Sequence, residues 1–309
     1  MGLRPQNIAA LAKRKILNGL AQFFPRLFWK RYDQRARHLG LRQLYLILSF
    51  DCDTPEDAEA ALQVHNRLQP QSVKATYAVP GHQLERDAAI YQRLAESGAD
   101  FINHGALPHA ERQDNRYWSI TWYHEMSARE VVDDIQRGHE IVTRVIGQPP
   151  VGFRAPHFGH FQGETQLALQ YDALSMLGYR YSTSTIPRFA MQHGPIFDVG
   201  GLYEIPLFGS FYAPFNILDS WGYIISPQQP TLTDGYADLF IQTIDRLSAL
   251  KVPAVLNYYV DPAHVYKSKA FFRAVSYARE QGVESLHYGD LIALVENSTQ
   301  SQFAARRMG

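Results

Sequence analysis

The stretch Leu44 to Thr54, LYLILSFDCDT, constrains this chain most. Its apolar and hydroxylated residues, Leu44 to Phe50, run straight into two acids, Asp51 and Asp53, separated by Cys52 alone. So short a run, rich in Leu, Ile and aromatics and halted by Asp-Cys-Asp-Thr-Pro, is the pattern of a buried parallel strand whose C-terminal end carries function. α/β folds open their ligand crevices at that edge. Strand side chains alternate faces, so Asp51 and Asp53 point the same way if the strand persists that far. Two like charges in one cleft are costly unless they share a cation or a proton. The pair therefore predicts a metal, a general base, or both.

Beyond this strand, apolar strand-like runs and amphipathic helical runs alternate about seven times. Thr54 and Pro55 read as N-cap and N1 of the next helix, and strands are expected at Val73 to Val79, Ala99 to His104 and Tyr179 to Thr183. Tyr203 to Phe208, Val252 to Val260 and Val283 to His287 read as further strands. Helices are expected over Leu84 to Ser97, from Ser127 with Glu130 as capping box, and over Gln166 to Leu177. Asp234 to Leu250, Lys269 to Gln281 and a terminal piece to Glu296 complete the helices. Such alternation predicts a parallel sheet closed as a barrel in a single catalytic unit, residues 44–296. Residues 186–233, rich in Pro, Gly and aromatics, are too long for a plain connection and are expected to wall or cover the site. Residues 297–309 read as a flexible tail.

Residues 1–43 form a separate extension. They hold ten Lys and Arg against one acid, Asp33, which leaves 20 basic and 29 acidic residues in the rest of a chain of zero formal net charge. Ile8, Ala12, Ile16, Leu20, Phe23, Phe24, Leu27 and Phe28 recur there at helical spacing, with Pro25 starting a second helical piece. Such a basic amphipathic segment either packs on the barrel or on a partner chain, or lies on an anionic membrane surface. No run approaches the roughly 18 apolar residues of a membrane span, and Lys13, Arg14 and Lys15 interrupt any leader-like apolar core. Cys52 is the only cysteine, which excludes an internal disulfide and a Cys-cluster metal site. A cytoplasmic protein, peripheral to the membrane at most and without a nucleic-acid partner, is expected.

Three more stretches stand at predicted strand ends. Asn103-His104-Gly105-Ala106-Leu107-Pro108-His109 offers two histidines that share no helical face and must converge from a loop, which Gly105 and Pro108 permit. With a carboxylate they make a three-ligand site that leaves a position open for water. In Gly152-Phe153-Arg154-Ala155-Pro156-His157, Arg154 can pair with Asp51 and keep it ionised and oriented. In Asn257-Tyr258-Tyr259-Val260-Asp261-Pro262-Ala263-His264, an acid or imidazole can give a proton to a leaving amine.

The order of Ser-Phe-Asp51-Cys-Asp53, Lys74-Ala-Thr-Tyr-Ala-Val-Pro-Gly81, His104 with His109, Arg154-Ala-Pro-His157 and the strand ending at Asp261 and His264 resembles the polysaccharide deacetylases of carbohydrate esterase family four, the NodB-homology group. The resemblance implies a distorted (β/α)7 barrel and a metal-dependent N-deacetylase of acetylated amino sugars. It implies Asp51 as general base and Asp53, His104 and His109 as metal ligands. Arg154 would orient Asp51, the backbone N–H of His157 would face the oxyanion, and Asp261 or His264 would be the proton donor. The implied cofactor is a divalent metal, zinc first, with iron, cobalt or nickel compatible with the same ligands. The implied substrate is an N-acetylated amino sugar, as an oligosaccharide or a lipid-linked precursor.

Three positions depart from the family pattern: the two histidines stand one residue further apart, the acid expected near Ser182 is missing, and Asp261 replaces the histidine of the last strand. A carbohydrate-binding protein on the same scaffold is the non-enzymatic alternative. An Asp-nucleophile phosphatase also begins with an apolar strand and Asp-x-Asp, but leaves both histidines idle.

Overall fold

The computed structural model describes residues 18–114, 116–226 and 229–308. The parallel path of its sheet runs through β1 (Leu44–Asp51), β2 (Ala75–Val79), β3 (Asp100–Asn103), β4 (Gly152–Phe153), β5 (Tyr181–Ser182), β6 (Tyr203–Glu204) and β7 (Ala254–Val260). Their order across the sheet is β7-β1-β2-β3-β4-β5-β6. β1 is buried at every residue because it has neighbours on both edges. One edge takes β7 from Leu44 opposite Ala254 to Phe50 opposite Val260, and the other takes β2 from Leu48 to Asp51. The lower part of that second edge, Tyr45 and Leu46, takes the short strand Glu284–Ser285. Strands covered on both faces need continuous apolar sequence, which is why LYLILSF shows no alternation.

The sheet curls far enough for its two ends to meet. After β6 the chain stays extended, and Phe208 N–H donates to the Asn257 carbonyl of β7 at 2.9 Å, while the Asn257 side-chain amide donates to the Ile205 and Pro206 carbonyls at 3.0 Å each. A full ladder is replaced there by one backbone bond and one buried amide. The architecture is thus an α/β fold with a curled parallel sheet, consistent with a (β/α)7 barrel.

Helix boundaries follow their capping chemistry. α1 (Pro25–His38) starts on its proline; α2 (Pro55–Leu68) starts after Thr54, whose N–H and hydroxyl both donate to Asp57, at 2.8 and 2.7 Å. The expected single helix over 84–97 is two, α3 (Gly81–Arg86) and α4 (Ala88–Glu96), parted at Asp87. α5 (Ala128–Ile146) begins on the Ser127–Glu130 capping box and ends on Gly147 at φ +84°. α6 (Glu164–Met176) and α7 (Pro187–His193) follow; α7 lies inside the long stretch expected only as wall or lid. α8 (Asp234–Leu250), α9 (Pro262–Val265), α10 (Lys269–Glu280) and α11 (Tyr288–Met308) complete the chain. α11 runs on as helix through the segment that the sequence pattern leaves as tail. Two antiparallel ribbons are not foreshadowed, Ala110–Gln113 with Arg116–Ser119 and Ile224–Ser226 with Gln229–Leu232.

Of the apolar residues of α1 that stand out in sequence, Phe28 packs against the core, while Leu27 does not. Trp29, Tyr32 and Ala36 are buried, with the Trp29 ring stacked on Phe208 and Phe211 at 5.7 and 5.6 Å. Starting the helix at Pro25 sets this register and turns Leu27 outward. Residues 1–17 of the amphipathic run lie outside the described residues.

Candidate metal-dependent active site

β1 delivers Asp51 at its last residue, and Asp53 two residues later stands beyond the strand. β3 ends at Asn103, so His104 opens the next loop; Gly105 at φ +78° turns it, and His109 returns to the same rim. Asp134 on α5 holds this loop: its Oδ1 accepts from Ala106 N–H at 3.0 Å and Leu107 N–H at 2.9 Å, and its Oδ2 from the Tyr123 hydroxyl at 2.7 Å. A Cβ at Gly105 would sit 2.3 Å from Asp134 Oδ2, so glycine is required both by the turn and by this approach. The wider histidine spacing is absorbed here, and His109 Nδ1 lies 3.0 Å from Asp53 Oδ1.

Ligand atoms of Asp53, His104 and His109 all lie within 4.8 Å of one another. His104 Nδ1–H donates to the Arg154 carbonyl at 2.8 Å, and burial, followed by the neighbouring His109, pushes this imidazole well below its usual range. Its Nε2 therefore carries a lone pair, 3.6 Å from Asp53 Oδ1 and 3.9 Å from Asp51 Oδ2. Burial raises the Asp53 carboxyl, but His109, His104 and His157 outweigh it and hold it below the carboxylate range, so it is ionised. His109 Nε2 is buried without a hydrogen-bond partner among the described residues. An ionised carboxylate, a lone-pair imidazole oriented by a backbone carbonyl and a second imidazole whose Nδ1 faces the same carboxylate fit the donor set of a divalent transition metal.

Asp51 is 5% exposed and the Arg154 side chain is fully buried beside it. Arg154 Nη1 donates to Asp51 Oδ1, and Nη2 donates to Ser49 Oγ and to the Tyr288 hydroxyl, each at 2.8 Å. Tyr288 in turn donates to Asn257 Oδ1 at 2.8 Å. No acid near Ser182 meets Arg154, whose buried Nε has no partner among the described residues. Sequence reasoning passed over both hydroxyls, since Tyr288 opens a helix 134 residues from Arg154. Burial pushes the Asp51 carboxyl up to about 6, against the pull of Arg154 and with the push of Asp53.

His157 has φ +56°, a left-handed conformation unusual for a residue with a Cβ. Its Nε2–H donates to the Ile120 carbonyl at 2.6 Å, fixing the ring, while its backbone N–H donates to no group among the described residues. Trp122 covers the His157 ring at 4.2 Å.

On β7's end, Asp261 and His264 are both buried and lie 3.6 Å apart, Oδ2 to Nδ1. Ser220, from the long 186–233 stretch, accepts from Asp261 N–H at 3.1 Å and has its own hydrogen left for His264 Nδ1 at 2.9 Å. Burial, then Asp57, Asp53, Asp51 and Asp219, push the Asp261 carboxyl well above its usual range. Burial pushes His264 down to about 4. Of the two, Asp261 is the one whose surroundings favour the protonated form, and its Oδ1 has no partner among the described residues. Asp57 ties this corner to the first strand, accepting from Ala263 N–H at 2.9 Å.

A stability prediction follows from His264. Its folded value lies below the ordinary 6.5, so the unfolded chain takes up the proton first as pH falls. The contribution is complete above about 6.5 and is lost toward 4, on the order of 3 kcal/mol across that window. Urea unfolding from pH 7 to 4 should show a shallower loss for His264→Gln than for the wild type; equal slopes would refute the assignment.

Residues 41–181 match the family model for polysaccharide deacetylase. This stretch contains Asp51, Asp53, His104, His109, Arg154 and His157, and ends before Asp261 and His264. No curated protein matches the chain by sequence. Among solved structures, it is similar to a protein described as a polysaccharide deacetylase from Mycobacterium smegmatis, with 17% identity, 83% of this chain and 92% of that one covered, and a TM-score of 0.57. A Puue allantoinase aligns at 12% identity over 82% of this chain and 90% of its own, with a TM-score of 0.59. A mutant of a CE4 family pseudoenzyme aligns at 13% identity over 81% and 67%, with a TM-score of 0.50. At these identities the structural likenesses establish the fold.

Proposed function

We propose that this chain, which through residues 41–181 belongs to the polysaccharide deacetylase family of amide hydrolases, removes the acetyl group from an N-acetylated amino sugar with a divalent metal held by Asp53, His104 and His109. The observation that carries the reading is the convergence of those three ligand atoms beside a buried Asp51–Arg154 pair. Residues 44–296 are the catalytic unit in this reading. A bound divalent cation supplies a lowered water pKa, from ~15.7 toward ~7, and a polarised amide carbonyl. Zinc suits two imidazoles and one carboxylate, as do iron, cobalt and nickel.

The chain's own groups do the rest. Asp51, anchored by Arg154 in one orientation, takes the proton of the attacking water. His157, locked by its bond to Ile120, offers its backbone N–H to the oxygen on which negative charge develops. Asp261, kept protonated by burial and by the acids around it, gives its proton to the departing amine. His264, neutral and fixed by Ser220, then positions Asp261 rather than replacing it. Trp122 and the half-exposed Trp221, which meets the His264 ring at 4.6 Å, offer apolar faces to a sugar ring.

The test is elemental analysis of the purified chain together with acetate release from acetylated amino sugars, free, oligomeric and lipid-linked. Stoichiometric metal in the wild type, lost in Asp53→Ala along with acetate release, supports the reading. Metal-free protein after reconstitution, with glycan binding retained, would replace the enzyme by a carbohydrate-binding protein.

A further inference from the structure

The N-terminal arm is covered on one face only. α1 turns Trp29, Tyr32 and Ala36 to the core, and successive helical residues advance by about 100°, so Leu27 and Arg31 fall on the opposite face. Leu27 is 72% exposed, and Leu20, Phe23 and Phe24 just before it are 41%, 75% and 60% exposed. The other large exposed apolar side chains among the described residues are scattered through the chain. Four within one short segment make a patch, and a patch of this kind marks an interaction surface.

Further along the same helix, a cavity of about 410 Å³ opens between α1 and α7. Arg31, Arg35, His38 and His193 line it, and no Asp or Glu does. Partial burial, then the charges of Arg35 and Arg31, push His193 down. The chain as a whole is divided in the same sense, basic over residues 1–43 and acidic beyond. No described helix is long and apolar enough to cross a membrane.

We propose that residues 18–39 dock on an anionic lipid bilayer, with Leu20, Phe23, Phe24 and Leu27 entering the acyl boundary and the cavity of Arg31, Arg35, His38 and His193 holding lipid phosphates. Apolar insertion plus cationic attraction is what binds an amphipathic helix in the plane of an anionic surface. Charge complementarity selects the bilayer over a second copy of this chain, since a two-fold contact through this face would set one basic arm against another. The docking is independent of which substrate the barrel takes.

Flotation of the full chain with vesicles tests this, using phosphatidylcholine alone and phosphatidylcholine with about a third phosphatidylglycerol. Binding to the anionic vesicles should exceed binding to the neutral ones by at least about 25-fold, about fivefold for each of Arg31 and Arg35, and fall steeply with salt. Phe23→Ser with Phe24→Ser and Leu27→Ser should abolish it, and Arg31→Gln with Arg35→Gln should weaken it roughly fivefold per cation, both with unchanged unfolding midpoints. Failure of the wild type to float with either vesicle, or variants that float as well as it does, would overturn the proposal. So would a vesicle-independent dimer in sedimentation that the Phe23, Phe24 and Leu27 variant dissolves, which would make the occupant a second copy.

Discussion

Arg154→Met is expected to cost the fold about 3–5 kcal/mol at neutral pH and to abolish turnover. The guanidinium is fully buried and its Nη atoms bind Asp51, Ser49 and Tyr288. Removing it leaves a buried carboxylate with burial and Asp53 both pushing its pKa up and only His109 opposing them. The unfolded carboxyl is the same in both chains and the wild-type folded group ionises near 6, so the deficit should grow as pH rises through about 6 and shrink below it. Urea unfolding at pH 4 and pH 7 measures that difference. Asp51→Asn in the same chain should restore most of the stability without restoring turnover. A deficit under about 1 kcal/mol at pH 7 would mean that the pair behaves like a solvated surface ion pair, contrary to its burial.

Asp51→Asn alone should keep the metal and lose roughly 10²–10⁴ in turnover, the range of a general base. The amide preserves the shape of the side chain but has no site for a proton at neutral pH. Asp53→Ala should lose metal and turnover together, because the imidazoles of His104 and His109 remain without their shared carboxylate. The acid limb of the wild-type pH–rate profile reports Asp51 taking up a proton, and activity should rise with pH through it; elemental analysis beside initial rates separates the two variants. An Asp51→Asn chain that stays active would remove Asp51 from the base role.

The parts of this molecule that local sequence encodes are the parts that a strand end or a cap determines. LYLILSFDCDT places Asp51 and Asp53 because a doubly buried strand has one readable pattern, and Asp234–Leu250 is the helix its periodicity describes. His104 and Arg154 fall at strand ends for the same reason. What local sequence does not encode is partnership at long range. Tyr288 and Ser49 meet Arg154, and Asn257 meets Tyr288, only because the sheet curls, and Asp134 supports the histidine loop from a helix. The choice between Asp261 and His264 likewise depends on which acids surround Asp261, a matter of packing. In α1 the apolar stripe of the sequence misleads, because Pro25 sets the register and Trp29 with Tyr32 takes the core positions.

β1 lies between β2, which follows it closely in the chain, and β7, which arrives some two hundred residues later. During synthesis, then, the strand that carries Asp51 waits with one edge of seven residues unpaired until residues 254–260 have left the ribosome. An apolar edge held open that long is the segment most prone to join a neighbour's strand. Assembly of the Asp51 corner with Asp261 and protection from aggregation are consequently acquired in the same step, when the last third of the chain closes on the first.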